Sequence, residues 1–396
     1  MSNPLKTAAC EEIDRHASEL HGLSHSIWEH PELNFEEKHA HQVLTDFLEK
    51  QGFHVERQYK LETAFRATYG EGPGPHVALL CEYDALPGIG HACGHNLIAQ
   101  VGVAAGLGAK AALKASGKHF PGKITVLGTP AEEGGGGKVD LINAGAFDGV
   151  DVAMMAHPSK ATFSKPKSLV MDAFTIQYIG KAAHASSSPW EGINALDAAV
   201  LAYQNVSVLR QQFKPTWRVH GIITSGGVKP NIIPEFSELR YMCRTPCVVE
   251  MKTLQSKLKD CFTSAAAATG CKVEFVHDQK PYEDLLSNST LATLFEENAA
   301  GLGVDICSDP AVTQRFGGST DMGNVSHVVP SLQPKFYIGT TASIHSTEYT
   351  AAAGSPTAQP YTQTIGKALA MVTLDILQQP QLMSKIKEDF DRDTQR

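Results

Sequence analysis

The chain has 396 residues, 42% hydrophobic and 19% charged, with a formal net charge of −8; this length leads to an expectation of two domains rather than one core. The acidic balance without a basic stripe argues against a nucleic-acid binder, and no apolar run of about 18 residues suited to a membrane is read. Eight cysteines without regular spacing read as reduced thiols, and with no apolar leader pattern in the first residues the expected location is the cytoplasm.

Residues 8–28 carry apolar and alanine positions at helical spacing, and after the turn His30-Pro31-Glu32 a second helix is expected over 36–52. Strands are expected over 53–59, 65–69 and 76–81, followed by a loop punctuated by Pro87 and Gly88. The spacing then predicts an alanine- and glycine-rich helix over 96–115, a strand over 123–128, a helix ending near 143–145, and an apolar strand over 150–156. Alternating strands and helices imply an α/β fold, a mostly parallel sheet with helices on both faces. The pattern changes after Lys165. Strands over 168–180, 217–225, 235–244 and 271–277 and helices over 192–213 and 249–268 follow the β-α-β-β-α-β order of a ferredoxin-like α+β unit. Residues 168–280 are therefore expected to be an inserted lid or dimerisation domain, and 1–167 with 281–396 a discontinuous catalytic domain. A helix over 290–302, a loop over 316–324, a strand over 335–339 and a helix over 362–378 complete the latter, and the tail from Ser384 is expected to be solvated.

Chemistry collects after the strands. Cys93 and His95, then Glu132 and Glu133, then His157, and later His345 are residue types that bind zinc and its neighbours. Adjacent residues in a loop point different ways, so one carboxylate of Glu132-Glu133 can bind metal while the other remains a free base, as metal-assisted hydrolysis requires. Taken singly, a loop cysteine is an ordinary small hydrophobe, and His157 before a proline or a Glu pair before glycines is an ordinary loop feature. From residue types and spacing, a metal hydrolase and a set of plain loops both stand.

The stretches C-E-Y-D-A-L-P, H-A-C-G-H-N, P-A-E-E-G-G-G-G, A-H-P and G-K-A-A-H-A-S, in this order, resemble the aminoacylase/carboxypeptidase-like metallopeptidase family with two metal ions per site, in its amidohydrolase branch. The resemblance covers roughly residues 10–380. It implies two divalent metal ions per subunit, zinc by expectation with manganese or cobalt as alternatives, held by Cys93, His95, Glu133, His157 and His345. It implies Glu132 as general base and Asp84 as the carboxylate that orients a ligand or tunes the base. His184 is implied to reach the partner subunit's site in a homodimer and to steady the oxyanion. Asn231, Arg244 and the glycine loop at Gly318 and Ser319 are implied substrate contacts, the loop through backbone N–H groups. Many members carry His at the place of Glu82 and Asp at the place of Asn96, so Glu82 is expected to be a structural or supporting carboxylate. The implied activity is a metallo-dipeptidase that cleaves short dipeptides with a basic C-terminal residue (Xaa-Arg, β-alanyl-lysine, β-alanyl-ornithine or γ-aminobutyryl-lysine type). An N-acyl amino acid or aromatic-amide hydrolase is the enzymatic alternative, and a metal-free binding protein is the alternative of another class.

Overall fold

The computed structural model describes residues 3–117, 122–277 and 279–395, divided into two units, Met1–Lys167 with Leu285–Arg396 and Ser168–Asp284. In chain order the strands are β1 (His54–Arg57), β2 (Phe65–Tyr69), β3 (His76–Cys81), β4 (Lys123–Gly128), β5 (Val152–Met154) and β6 (His157–Ser159). They continue with β7 (Val170–Ile179), β8 (Arg218–Ser225), β9 (Phe236–Thr245), β10 (Lys272–His277), β11 (Ser331–Leu332) and β12 (Lys335–Tyr337).

The first unit is built on a six-stranded sheet in the order β1-β2-β4-β3-β5-β11. From β4 through β3 and β5 to β11 the pairing is parallel. At the other edge β1 pairs β2 and β2 pairs β4 antiparallel; the short connection from β1 to β2 leaves no room for the crossover helix that a parallel pair would need. β3 is central, and Val77 to Cys81 are all 0% exposed, as expected of a strand covered on both faces. Its side chains alternate: Val77, Leu79 and Cys81 join one core with the helices His95–Ala115 and Gln359–Gln378, while Ala78 and Leu80 join another with Leu141, Met322 and Val325. The helix His95–Ala115 is long and apolar enough to cross a membrane by length and composition, but it is buried here against the sheet. It lies so close that a Cβ at Gly102 would stand 2.5 Å from Cys81 Sγ, and one at Gly106 2.4 Å from Val126 Cγ2.

The second unit is a four-stranded antiparallel sheet in the order β10-β7-β9-β8. The helices Ala195–Leu209 and Val248–Thr269 pack with Phe174, Ile176 and Tyr178 of β7 into its core, the ferredoxin-like arrangement. The unit extends to Asp284 because Tyr282 exchanges both backbone hydrogen bonds with Met171, at 2.8 and 2.9 Å.

Three local expectations change. The helix expected over 8–28 is two helices, Pro4–Arg15 and Ala17–Glu29, separated at His16. His157 starts its own short strand, paired parallel with β12, instead of following the end of a longer one. The charged tail is a helix, Leu382–Thr394, docked through buried Ile386 and Asp389. Asn288 donates to the Ile386 carbonyl at 2.8 Å, and Asp389 accepts from Thr290 N–H and O–H at 2.9 and 2.7 Å.

Candidate active site

The loops after β3 and β4 and the start of β6 supply the chemistry. Beyond Cys81 the chain continues through buried Glu82, Tyr83 and Asp84, with Tyr83 O–H donating to the Thr63 carbonyl at 2.6 Å. Gly94, at φ 76°, turns the backbone left-handed between Cys93 and His95, a conformation natural to glycine. Beyond Gly128, Ala131 takes φ 60° directly before the Glu132-Glu133 pair, and His345 takes φ 67°. Both are left-handed positions uncommon outside glycine. Hydrogen bonds hold each: Ala131 N–H donates to Glu37 Oε1 and His345 N–H to the Ala92 carbonyl, both at 2.9 Å.

These loops gather the metal-competent side chains. Cys93 Sγ lies 3.4 Å from His157 Nε2, and Glu133 Oε1 lies 3.5 Å from His345 Nε2 and 3.7 Å from His95 Nε2. Glu132 Oε2 is 3.9 Å from the same His95 nitrogen. Cys93, His95 and His157 form one convergent group, Cys93, Glu133 and His345 a second, and His95, Glu132 and Glu133 a third. Asp84 ties two of them together: Oδ1 receives His95 Nδ1–H at 2.9 Å and Oδ2 receives the Glu133 amide at 2.9 Å. His157 Nδ1–H donates to the Pro158 carbonyl at 2.8 Å, which turns Nε2 toward Cys93.

The electrostatics follow from burial and crowding. Burial, then Glu82 and Glu133, holds Glu132 well above the usual carboxylate range. Burial opposes the ionised form of Glu133 too, but His345 and His95 bring it below that range. Burial pushes the Cys93 thiol up to about 12 and the His157 imidazole well below its ordinary value. His95 goes the other way: burial disfavours its charge, yet Asp84 and Cys93 outweigh that and raise it. The cluster therefore attracts positive charge. His95 Nε2 and Glu133 Oε1 are buried without hydrogen-bond partners, and such groups are rare unless something else satisfies them. Thiolate, imidazole and carboxylate donors converging with unsatisfied atoms fit a divalent ion.

The remaining sequence candidates are not members of these convergent groups. His184, Asn231 and Arg244 belong to the second unit. His184 is exposed, its Nδ1 accepting from the Ser186 and Ser187 amides at 3.3 Å, and Ala185 N–H donates to the Asn231 carbonyl at 3.1 Å. Arg244 is half-buried on β9 beside Met242. Gly318 is exposed and Ser319 half-buried, while the neighbouring Gly317 amide is spent on the Lys167 carbonyl at 2.8 Å. Asn96 is a packing residue: its amide donates to Ser24 Oγ and the Ala353 carbonyl, each at 3.0 Å.

Sequence reasoning missed Lys138, which is 0% exposed and bonded to both Glu82 and Asp321 at 2.6 Å. After four glycines it reads as a surface helix residue. Asp321 precedes the short helix Met322–Ser326, the place of an ordinary cap, but its side chain makes no cap hydrogen bond and holds Lys138 instead.

Comparison with known proteins fits this geometry. The chain is 52% identical over 396 residues to Xaa-Arg dipeptidase of Mus musculus, covering 98% of this chain and 92% of that protein. It is 51% identical over 400 residues to the Homo sapiens protein of the same name, with the same coverage. The fold superposes with TM-score 0.67 on the Bacillus subtilis YXEP protein, described as a dinuclear metal binding peptidase from the M20 family, at 22% identity over 91% of this chain and 99% of that one. Residues 78–364, which span the Glu82–His95 loop, the Glu132-Glu133 pair, His157 and His345, match Peptidase family M20/M25/M40. A buried thiol, imidazole and carboxylate cluster on this sheet, within a match of that extent, places the chain in Peptidase family M20/M25/M40.

Proposed function

We propose that this chain is a metal-dependent dipeptidase that removes a basic C-terminal residue from a short substrate of the Xaa-Arg, β-alanyl-lysine, β-alanyl-ornithine or γ-aminobutyryl-lysine type. The observation that carries the chemistry is the contrast within Glu132-Glu133. Glu133 Oε1 lies among the ligand-competent groups, 3.5 Å from His345 Nε2 and 3.7 Å from His95 Nε2, while Glu132 Oε2 stands beside them at 3.9 Å from His95 Nε2, where bound cations would hold it ionised as a base. The substrate class rests on the mouse and human relatives, whose names specify arginine.

Cys93, His95, Glu133, His157 and His345 would hold two divalent ions, and this mix of thiolate, imidazole and carboxylate favours zinc over manganese or cobalt. Bound there, the ions supply Lewis acidity to the scissile carbonyl and to an adjacent water. Glu132 takes the proton of the attacking water and returns it to the amine nitrogen as the C–N bond breaks. Asp84 fixes the His95 ring and the Glu133 backbone in one orientation. His184 donates to the developing oxyanion across a homodimer, and Asn231, Arg244 and the Gly318-Ser319 backbone receive the substrate's polar ends. Exposed apolar side chains of the second unit, among them Val208 (71%) and Ile222 (63%), support pairing of two copies through it. Cysteines that are all free support a cytoplasmic location.

Release of free arginine or lysine from Xaa-Arg and β-alanyl-lysine, before and after chelation and with Glu132→Gln as control, tests the reading. Chelator-sensitive turnover that vanishes in the variant supports it. Turnover of N-acyl amino acids alone would keep the mechanism and discard the substrate, and inactivity with no bound metal would leave a binding protein.

A further inference from the structure

Glu82 follows the last residue of β3 and is 0% exposed. Its Oε1 accepts from the Lys138 ammonium at 2.6 Å, and the same ammonium donates to Asp321 Oδ1 at 2.6 Å. Asp321 Oδ2 also accepts the Lys138 backbone N–H at 2.9 Å. The lysine is thus fixed at both ends, and it fixes the Glu82 carboxylate in turn. A purely structural role accounts for Oε1 but not for Oε2. That second oxygen is buried, receives no hydrogen bond, and lies 3.5 Å from His95 Nε2, which is unsatisfied as well.

With His95 Nδ1–H committed to Asp84, Nε2 is the ring nitrogen left to face the carboxylates, and at 3.5 Å from Glu82 Oε2 it is too far for a hydrogen bond. Glu133 and Glu132 oxygens stand 3.7 and 3.9 Å from the same nitrogen, so Glu82 is the nearest of the three. Buried polar atoms left without a hydrogen-bond partner are costly, and a metal ion that replaces any proton on Nε2 and sits between the ring and the carboxylates removes that cost. Two ligand atoms about 2.1 Å from one ion at a tetrahedral angle lie about 3.4 Å apart, close to the observed separation. We propose that Glu82 is a metal ligand on the His95 side of the cluster, aimed there by Lys138 and Asp321.

This inference rests on the metal-dependent reading above, and one titration separates the two. Zinc is added back to the chelator-stripped full chain, to Glu82→Gln and to Asp321→Asn against a competing chelator, with bound zinc counted. Glu82→Gln keeps an oxygen for Lys138 but loses the anionic Oε2. Its affinity for one of two zinc equivalents is expected to fall by more than about 100-fold, beyond the 10- to 100-fold typical when only a group behind a ligand is altered. Asp321→Asn alters a group behind the ligand, through Lys138, and is expected to cost no more than about 10- to 100-fold. Equal losses in the two variants, or none in Glu82→Gln, would overturn the assignment. No zinc uptake by the unaltered chain would instead overturn the metal-dependent reading, and this inference with it. If Glu82→Gln does not fold, a zinc-loaded crystal structure of the unaltered chain decides: Oε2 is expected about 2.0–2.2 Å from an ion, and an Oε2 outside that coordination range would refute the proposal.

Discussion

In the first unit Glu82, Asp84, His95, Lys138 and Asp321 are at most 1% exposed, whereas His184 and Asn231 of the second unit stand at its surface. Buried ionic groups survive only when each finds a partner, because removing one member leaves an uncompensated charge in a poor solvent. Exposed groups carry no such condition, since water satisfies them. Site chemistry and fold stability are therefore bound together in the first unit and separable in the second. Substitutions at the two places should differ in kind as well as in size.

The strongest test of that contrast is chemical. Glu132→Gln keeps the shape of the buried loop but removes the base, and kcat for a basic dipeptide is expected to fall by about 10²- to 10⁴-fold, read by release of the free amino acid. Lys138→Met addresses stability: the ammonium neutralises Glu82 and Asp321, so urea unfolding should show a loss of about 3–5 kcal/mol. A loss under about 1 kcal/mol would mean that the floor of the site is held some other way. In the second unit, His184→Ala should leave stability within about 0.5 kcal/mol while lowering kcat by about 10²- to 10³-fold. A parallel loss of stability and activity there would erase the distinction between the units.

The smallest expected effect concerns Glu37, which is 0% exposed and accepts from the Phe35 and Ala131 amides and Thr63 O–H at 3.0, 2.9 and 2.7 Å. Burial raises it from the ordinary 4.5 to about 7. Because the folded value lies above the unfolded one, the folded chain binds this proton more tightly. The associated stability is present below pH 4.5 and is lost as the pH rises through 7. The span is about 3 kcal/mol. Glu37→Gln should flatten that slope, so its stability relative to the unaltered chain rises between pH 5 and pH 8. Parallel denaturation curves at both pH values would refute it.

The strands at 65–69, 76–81 and 123–128 were readable because each is a continuous apolar or alternating run bounded by turn residues. The break at His16 was not, since apolar spacing continues across it on both sides. The helix Leu382–Thr394 was hidden by its charges, which mask a narrow stripe of Leu382, Met383, Ile386 and Phe390. Strands of three residues such as β6 and β12 are too short to display a period. Within the site, Cys93, His95 and Glu132-Glu133 were readable because their motifs are local. The Glu82–Lys138–Asp321 arrangement was not, because its partners are 56 and 183 positions apart.

Residue order alone sets where apolar runs become strands, which loops carry thiol, imidazole and carboxylate groups, and which family pattern they match, since each depends on neighbours within a few residues. Convergence of those loops, the tautomers imposed by Asp84 and Pro158, and the unsatisfied oxygen of Glu82 emerge on folding. They depend on the parallel register of β3, β4 and β5, and on a burial deep enough that distant charges must answer one another instead of water.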